Sequence, residues 1–322
     1  MKNINCSICG IPLFSSQCET APYPSKNASN DVPEKIIFCG HCGLGIAEPV
    51  PSDEVLARLY NESNYWGKVK PVVSPRKQPV FLALAHSRWS LIQSNLNKRK
   101  EKPHGFRILD VGAGFGYMGI VAANSLGTAL DEYVAVELDP NVRAAIEKAW
   151  PELGNNSKLN TFAKLEEVGG KYDIIVLSHV LEHVKNPFSM INNVLSFLSN
   201  DGLLFIDVPN RDDLFKADVF PHLLFFSSRS LKSLMKQANL KIVDLDTWGN
   251  PREKSTLNRN ASVTVKIREK LLGKITKFVP TGFSTFLLVK HFQINTRHER
   301  GTWIRVLAQM KGNSRSLNSV IY

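Results

Sequence analysis

His179, Glu182 and His183 stand at i, i+3 and i+4 just beyond the apolar run Ile174 to Leu177, and His222 lies in Phe220-Pro-His-Leu-Leu-Phe-Phe226. If a helical turn follows that run, the first three share one face. Imidazole titrates near neutral pH, so such a cluster can take a proton from a hydroxyl nucleophile. His183 is the first candidate for that base, with His179, His222 and Glu182 behind it. The alternative is structural, with Glu182 and His183 holding a loop by hydrogen bonds. A second constellation lies upstream. Cys6-x-x-Cys9 and Cys39-x-x-Cys42 form two knuckles, each followed by a glycine (Gly10, Gly43) that permits a tight turn. Four thiolates make the closed tetrahedral set that structural Zn²⁺ prefers, with no open position for catalysis. The Pro-, Ser- and Asn-rich segment between the knuckles is too polar to fold on its own core, so the metal would hold it together. Cys18 and His41 are left outside the set.

The third group is Arg107-Ile-Leu-Asp-Val-Gly-Ala-Gly-Phe-Gly-Tyr-Met-Gly119. A short buried strand, a glycine turn and the positive end of a helix follow one another, which is a site for a nucleotide-like ligand. A phosphate pocket wants backbone N–H groups and no carboxylate, whereas Asp110 suits an amine or a cation. S-adenosylmethionine (SAM) carries an amino group and a sulfonium. A dinucleotide remains the alternative for Gly114-x-Gly116-x-x-Gly119. Glu137 ends the next apolar run, Tyr133 to Val136, where a carboxylate can accept hydrogen bonds from both ribose hydroxyls.

With Ile108-Leu-Asp-Val-Gly-Ala-Gly-Phe-Gly116 the chain resembles the class I SAM-dependent methyltransferases, and the resemblance extends over roughly 105–245 through His179 to Pro187 and Asp201 to Asn210. It implies an α/β, Rossmann-like sheet with helices on both faces, and SAM bound by Asp110, Gly112, Gly114, Gly116, Glu137 and Ser178. Related sequences often place an acidic residue after the third strand to bind adenine. This chain has Phe162-Ala163-Lys164, so backbone groups of Phe162 and Ala163 are expected there, with Leu165 packing on the ring. Relatives in ubiquinone and small-RNA methylation carry Glu-x-x-Glu-His, which binds a divalent metal. Here His179 replaces the first Glu, Glu182 and His183 remain, and His222 could be a fourth ligand. Such a nitrogen-rich set would suit Zn²⁺, Fe²⁺ or Mn²⁺ better than Mg²⁺. The segment from Glu48 to Trp66, a Pro-rich linker, short helix and aromatic pair after the cysteine ribbon, resembles that of zinc-ribbon-bearing methyltransferases of bacterial sugar and polysaccharide pathways.

These residues need elements to position them. Ser52 caps a helix with Val55, Leu56 and Leu59 on its apolar side, and Val80 to Lys98 reads as an amphipathic helix. Strands are expected at Lys158 to Phe162, Ile174 to Leu177, Asp201 to Asn210 and Leu240 to Trp248, and a helix at Leu231 to Asn239 capped near Ser227. Phe215 to Phe226 is a candidate lid with Asn210, Phe220 and His222 facing in, and Tyr65 and Trp66 flank the substrate mouth or pack. A basic amphipathic helix is expected at Val265 to Val279, and the terminal antiparallel strand at Gly282 to His291. The organisation is then a zinc ribbon at 1–50, a linker with helices at 51–104, and a methyltransferase domain at 105–292. That domain carries a basic insertion at about 249–282, and a tail follows at 293–322.

The chain of 322 residues has 43% hydrophobic residues, enough for a sizeable core. Its net charge of +11 is concentrated in 251–322, where 14 Lys and Arg face 3 Asp and Glu. That region suggests peripheral contact with an anionic membrane or another polyanion, against the plainer reading of solvated lysines. No run of about 20 apolar residues is present, so no transmembrane segment is expected. Met1 to Gly10 lacks the apolar core of a signal peptide, which makes a cytoplasmic location, including the inner membrane face, the expectation. Disulfides do not fit that compartment, and a redox Cys-x-x-Cys would not come as a pair. The expected reaction is SAM-dependent methylation of a hydroxyl or carbon on a small or glycan-linked acceptor. RNA or a quinone-type ring is the alternative acceptor. A dehydrogenase, or a nucleic-acid-binding zinc ribbon on a vestigial Rossmann domain, are the rival classes.

Overall fold

The computed structural model describes residues 4–13, 18–26, 29, 31–61, 72–97, 105–154, 156–251, 281–291 and 294–311. Tyr65, Trp66, the basic helix expected over 265–279 and residues 312–322 lie outside the described residues.

The cysteine region is built from β1 (Ile4–Asn5), β2 (Pro12–Leu13), β3 (Glu19–Pro22), β4 (Lys35–Phe38) and β5 (Gly45–Glu48). Two helices follow, α1 (Asp53–Asn61) and α2 (Pro79–Leu96). Ser52 Oγ accepts from Val55 N at 3.3 Å, the cap its position implied. Then come β6 (Phe106–Val111), α3 (Tyr117–Leu126), β7 (Leu130–Val136), α4 (Pro140–Glu152), β8 (Lys158–Phe162), β9 (Tyr172–Ser178), α5 (Pro187–Leu195) and β10 (Leu198–Pro209). The chain continues through β11 (Leu224–Phe225), α6 (Ser228–Gln237), β12 (Leu240–Pro251), α7 (Thr281–His291) and β13 (Gly301–Met310).

Seven strands form one sheet in the order β12-β13-β10-β9-β6-β7-β8. The run from β10 to β8 is parallel, and β13 is antiparallel to both of its neighbours. The parallel strands are covered on both faces, which is why Ile108 to Val111 and Ile174 to Leu177 read as continuous apolar runs. Successive residues nonetheless serve different cores. Leu109, Val111, Ile175 and Leu177 pack with α5 and α6, while Ile108, Ile174 and Val176 pack with α2, α3 and α4. The strand order reverses between β6 and β9, and the crevice at their C-terminal ends is where such sheets place ligands.

The terminal strand differs from the sequence expectation. Gly282 to His291 is helical: Thr285 and Leu288 are buried while Phe283 and Phe286 are exposed, a spacing of three rather than two. The short apolar run Phe286 to Val289 fits either element, and packing of Leu288 against Ala83 of α2 decides it. The antiparallel strand is instead β13, inside the region read as a tail. It is inserted between β10 and β12 with Ile304, Val306, Leu307 and Ala308 buried.

The cysteine region also joins the main body more closely than a linked ribbon would. β11, from the candidate lid, pairs with β5 and completes a four-stranded sheet, β11-β5-β4-β3. Val219 N donates to Pro24 O at 3.0 Å, Tyr23 Oη donates to His222 O at 2.8 Å, and Arg229 Nη2 reaches Gly40 O at 3.1 Å.

Candidate active site

The turn after β6 runs through Gly112, Gly114 and Gly116 at φ of 70°, 52° and 68°. At Gly112 the left-handed backbone coincides with a wall, because a Cβ there would stand 2.6 Å from Val180 Cγ2. Gly112 and Gly114 line the crevice, whereas Gly116 begins α3 and packs toward Ile146.

Glu137 follows β7 and grips that turn. Its Oε2 accepts from Gly114 N at 2.9 Å and its Oε1 from Asp139 N at 3.1 Å. Each carboxylate oxygen has a second lone pair left for a ligand hydroxyl. Burial raises the pKa of Glu137, against those amide hydrogen bonds. The cap of α4 is Asp139, which accepts from Asn141 N at 2.8 Å, so Glu137 is not spent on capping. Asp110 is 1% exposed and takes a hydrogen bond from Tyr133 Oη at 2.7 Å. Burial pushes its carboxyl up to about 6, partly offset by Tyr133 and by the Arg88 charge.

Two cavities meet at Gly112, Ser178, His179 and His183. The first, of about 420 Å³, is lined by Glu137, Leu138, Ala163, Leu165, Val180 and Met190 among others. The second, of about 350 Å³, contains Asp110, Gly114, Arg88, Lys216 and His222, with Phe81, Phe115 and Tyr117 as aromatic walls. Ser178 Oγ is buried at their junction without a hydrogen-bond partner. Ala163 lines the first cavity, but Phe162 does not: its carbonyl accepts from Glu137 N at 3.0 Å. Ala163 N donates to Glu167 Oε2 at 3.1 Å. Of the expected lid residues His222 faces the second cavity. Phe220 instead packs with Tyr23 and Phe38, and Asn210 Nδ2 donates to Gly301 O at 2.8 Å.

The histidines meet without forming a continuous helix face. His179 follows β9 at φ 55°, uncommon for a residue with a side chain, and Leu181 to His183 make one 3₁₀ turn. His179 Nδ1 lies 3.0 Å from Glu182 Oε1, while Glu182 Oε2 is buried with no hydrogen-bond partner. Burial pushes Glu182 up, but the His179 hydrogen bond and the neighbouring imidazoles outweigh it and bring the carboxyl to about 2. Burial takes His183 down to about 4, against the pull of Glu182, so its ring is neutral at neutral pH. His183 and His222 meet edge to face, with ring centroids 4.8 Å apart. His222 Nδ1 lies 3.0 Å from Asp212 Oδ2, off the linear hydrogen-bond direction. Burial raises Asp212, yet His222 and Lys216 more than reverse this and hold it at about 2. Donor atoms of Glu182, His183 and His222 lie within 4.8 Å of one another and could hold a metal; His179 is outside that group.

The cysteines form the other such group. Cys6, Cys9, Cys39 and Cys42 converge within the same 4.8 Å limit, with Cys6 and Cys42 Sγ atoms 3.4 Å apart and Cys9 and Cys39 3.5 Å apart. None is in a disulfide. The hydrogen bond with Cys42 holds the Cys6 thiol down, to about 5, against burial. The donor set and its closure fit structural Zn²⁺.

Arg88, Asp212, Leu138 and Tyr133 were not legible as site residues. Arg88 is one of several polar residues on α2, and Asp212 stands ten positions before its histidine with no motif around it.

Residues 82–245, just over half of the chain, match the family model described as a methyltransferase domain. A ubiquinone biosynthesis O-methyltransferase of Parvibaculum lavamentivorans is 31% identical over 147 residues, covering 45% of this chain and 56% of its own. The mitochondrial ubiquinone biosynthesis O-methyltransferase of Saccharomyces cerevisiae is 32% identical over 123 residues, 38% of each chain. The chain thus spans about half the length, or less, of these curated relatives. A solved plantazolicin methyltransferase in complex with S-adenosylhomocysteine (SAH) covers 80% of this chain and 94% of its own, at 14% identity and a TM-score of 0.48.

Proposed function

The chain belongs to the methyltransferase-domain family, and on that premise we propose that it transfers a methyl group from SAM to a hydroxyl of a small or glycan-type acceptor. The observation that carries this reading is the double cavity. One end has Glu137 and an apolar slot, the middle has the glycine turn, and the far end has Asp110 and the histidines. SAM supplies an electrophilic methyl on a sulfonium. Asp110 would receive its amino group, Glu137 the ribose hydroxyls, and Leu138, Ala163 and Leu165 the adenine. The protein's own tasks are alignment, exclusion of water and removal of one proton.

For the proton we assign His222 ahead of His183. Support comes from Asp212, whose carboxylate beside Nδ1 orients the ring and leaves Nε2 as the acceptor, while burial makes His183 a weak base. The orphaned Glu182 Oε2 favours a second reading, in which Glu182, His183 and His222 hold a divalent metal that lowers the pKa of the acceptor hydroxyl. Phe81, Phe115 and Tyr117 favour a ring-shaped acceptor. The relatives' names, ubiquinone biosynthesis O-methyltransferase, support oxygen as the atom methylated and keep a quinone-type ring beside the sugar.

The donor reading is tested by calorimetric titration with SAH across pH. A carboxyl raised by burial binds its proton more tightly in the folded state, so the stability it contributes falls as pH rises from its ordinary 3.8 to about 6. That costs the folded protein about 3 kcal/mol, which a bound ammonium group offsets. SAH affinity should therefore be steady above pH ~7 and fall about tenfold per unit below pH ~6, a dependence absent in Asp110→Asn. Absence of SAH binding by wild type at every pH would remove the proposal.

No described helix is long and apolar enough to cross a membrane. Peripheral contact with the inner face of a membrane is part of the proposal. It is supported by the basic 251–322 region and by Phe283 and Phe286, 52% and 59% exposed on α7. The chain should co-sediment with vesicles containing phosphatidylglycerol, not with phosphatidylcholine alone, and salt of about 0.5 M should release it. Equal recovery with both vesicle types would remove this part.

A further inference from the structure

A third, smaller cavity of about 190 Å³ lies beside the second at the same end of the sheet, and Lys216 lines both. Pro209 at the end of β10, Asn250 near the end of β12, and Thr302 and Trp303 at the start of β13 line it, with Phe215 from the lid segment. None of Asp110, Glu137 and the turn glycines lines this space. Close backbone packing fixes its walls. Gly249 has φ 89°, and a Cβ there would stand 2.5 Å from Trp303 Cζ3, so glycine is what lets the indole lie against β12. Asn210 ties the start of β13, its N–H donating to Thr302 O at 2.9 Å. Phe215 and Lys216 are placed by one turn, their N–H groups donating to Asp212 O at 3.2 and 2.8 Å. Asp212 Oδ2 in turn lies 3.0 Å from His222 Nδ1 and 2.9 Å from Lys216 Nζ. The turn that orients the proton acceptor therefore also builds a wall of the third cavity. Such a volume is below the roughly 300–1,000 Å³ taken by a whole drug-sized ligand and fits a single ring. Aromatic faces pack on the C–H face of a pyranose, and the Asn250 amide, which both donates and accepts, matches its hydroxyls. A quinone ring would use the aromatic walls but brings acceptors only, leaving the amide oxygen without a donor.

We propose that the third cavity is a sugar subsite, which holds the pyranose ring next to the one that is methylated. This deepens the glycan-acceptor reading and rests on it. The reacting hydroxyl lies at His222 in the second cavity, and the glycosidic link passes Lys216. The neighbouring ring packs on Trp303 and Phe215 with its hydroxyls on Asn250. The acceptor is then at least a disaccharide, and single sugars are poor acceptors, because binding energy from the second ring positions the first.

The test is a glycan array printed with defined mono-, di- and trisaccharides and probed with the SAH-loaded, fluorescently labelled chain. SAH affinity is measured in parallel by calorimetry. Wild type should be retained on a set of di- or trisaccharides about tenfold more strongly than on their component monosaccharides. Asn250→Phe, which fills the cavity, and Phe215→Ala, which removes a wall, should each lower that retention about tenfold. SAH affinity within about threefold of wild type reports that each variant is folded. Retention on no glycan, retention indifferent to the second ring, or unchanged retention in either variant would overturn the subsite. Calorimetric binding of a soluble short-chain ubiquinone, abolished by Asn250→Phe, would overturn it in favour of a quinone ring. If wild type bound no SAH, the methyl-donor reading itself would have failed, and the sugar subsite with it.

Discussion

Replacing His222 with glutamine should lower methyl-transfer turnover by about 10²- to 10⁴-fold while leaving SAH affinity within about threefold of wild type. The backbone at His222 is held independently of its ring: its N–H donates to Val219 O at 2.8 Å and its carbonyl accepts from Tyr23 Oη at 2.8 Å. Glutamine can therefore occupy the position with the loop backbone held, and the change removes the proton acceptor together with the ring's contacts to Asp212 and His183. Asp212→Asn should cost less, because it leaves the imidazole in place and weakens only its orientation. His183→Gln should cost least, since a buried imidazole at about 4 takes up a proton poorly. Chelation discriminates the metal reading. If EDTA abolished turnover, and if His222→Gln lost a metal ion that wild type holds in addition to zinc, His222 would be a ligand and not the base. An unchanged turnover in His222→Gln would sink both readings.

Cys39→Ser should remove stoichiometric zinc from the purified chain and cost the cysteine region about 4 kcal/mol or more, since a closed thiolate site ties folding to the metal. The consequence should spread beyond residues 4–48. β5 is the strand to which β11 is added, and Ala47 N donates to Leu223 O at 2.9 Å next to His222. Amide exchange should therefore quicken in β5, β11 and the segment around His222, while β6 and β9 stay protected. Metal analysis and exchange mass spectrometry read both parts. A purified wild-type chain without zinc, or faster exchange confined to the cysteine loops, would separate the metal from the site.

Much of this was written locally. Asp110, Gly112, Gly114 and Glu137 were legible because a buried strand, a tight turn and a helix start impose residue types within a few positions of each other. The two cavities are lined by just such turns at the C-terminal ends of the strands. The four cysteines were legible for a similar reason, since two knuckles with their glycines state a ligand set in advance, and the fold brings all four sulfurs together. The parallel strands could be read from apolar runs because both of their faces are covered.

What the sequence left open depends on pairing across long separations. The run Phe286 to Val289 suits a helix or a strand, and only the face presented by α2 selects the helix. β13 is short of distinguishing signals, and its place is decided by the gap between β10 and β12. The same gap creates an arginine cluster, because Arg88, Asp207 and Arg305 come from three elements that nothing local connects. Asp212 acquires its meaning only when the lid segment turns back so that His222 meets it, with the cysteine sheet holding β11 behind. Local turn chemistry fixed where the glycine turn and Glu137 meet at the cavity wall. The packing of distant strands and helices decided which charged groups face it, because a side chain's partners across the sheet are set by register and not by its neighbours in the chain.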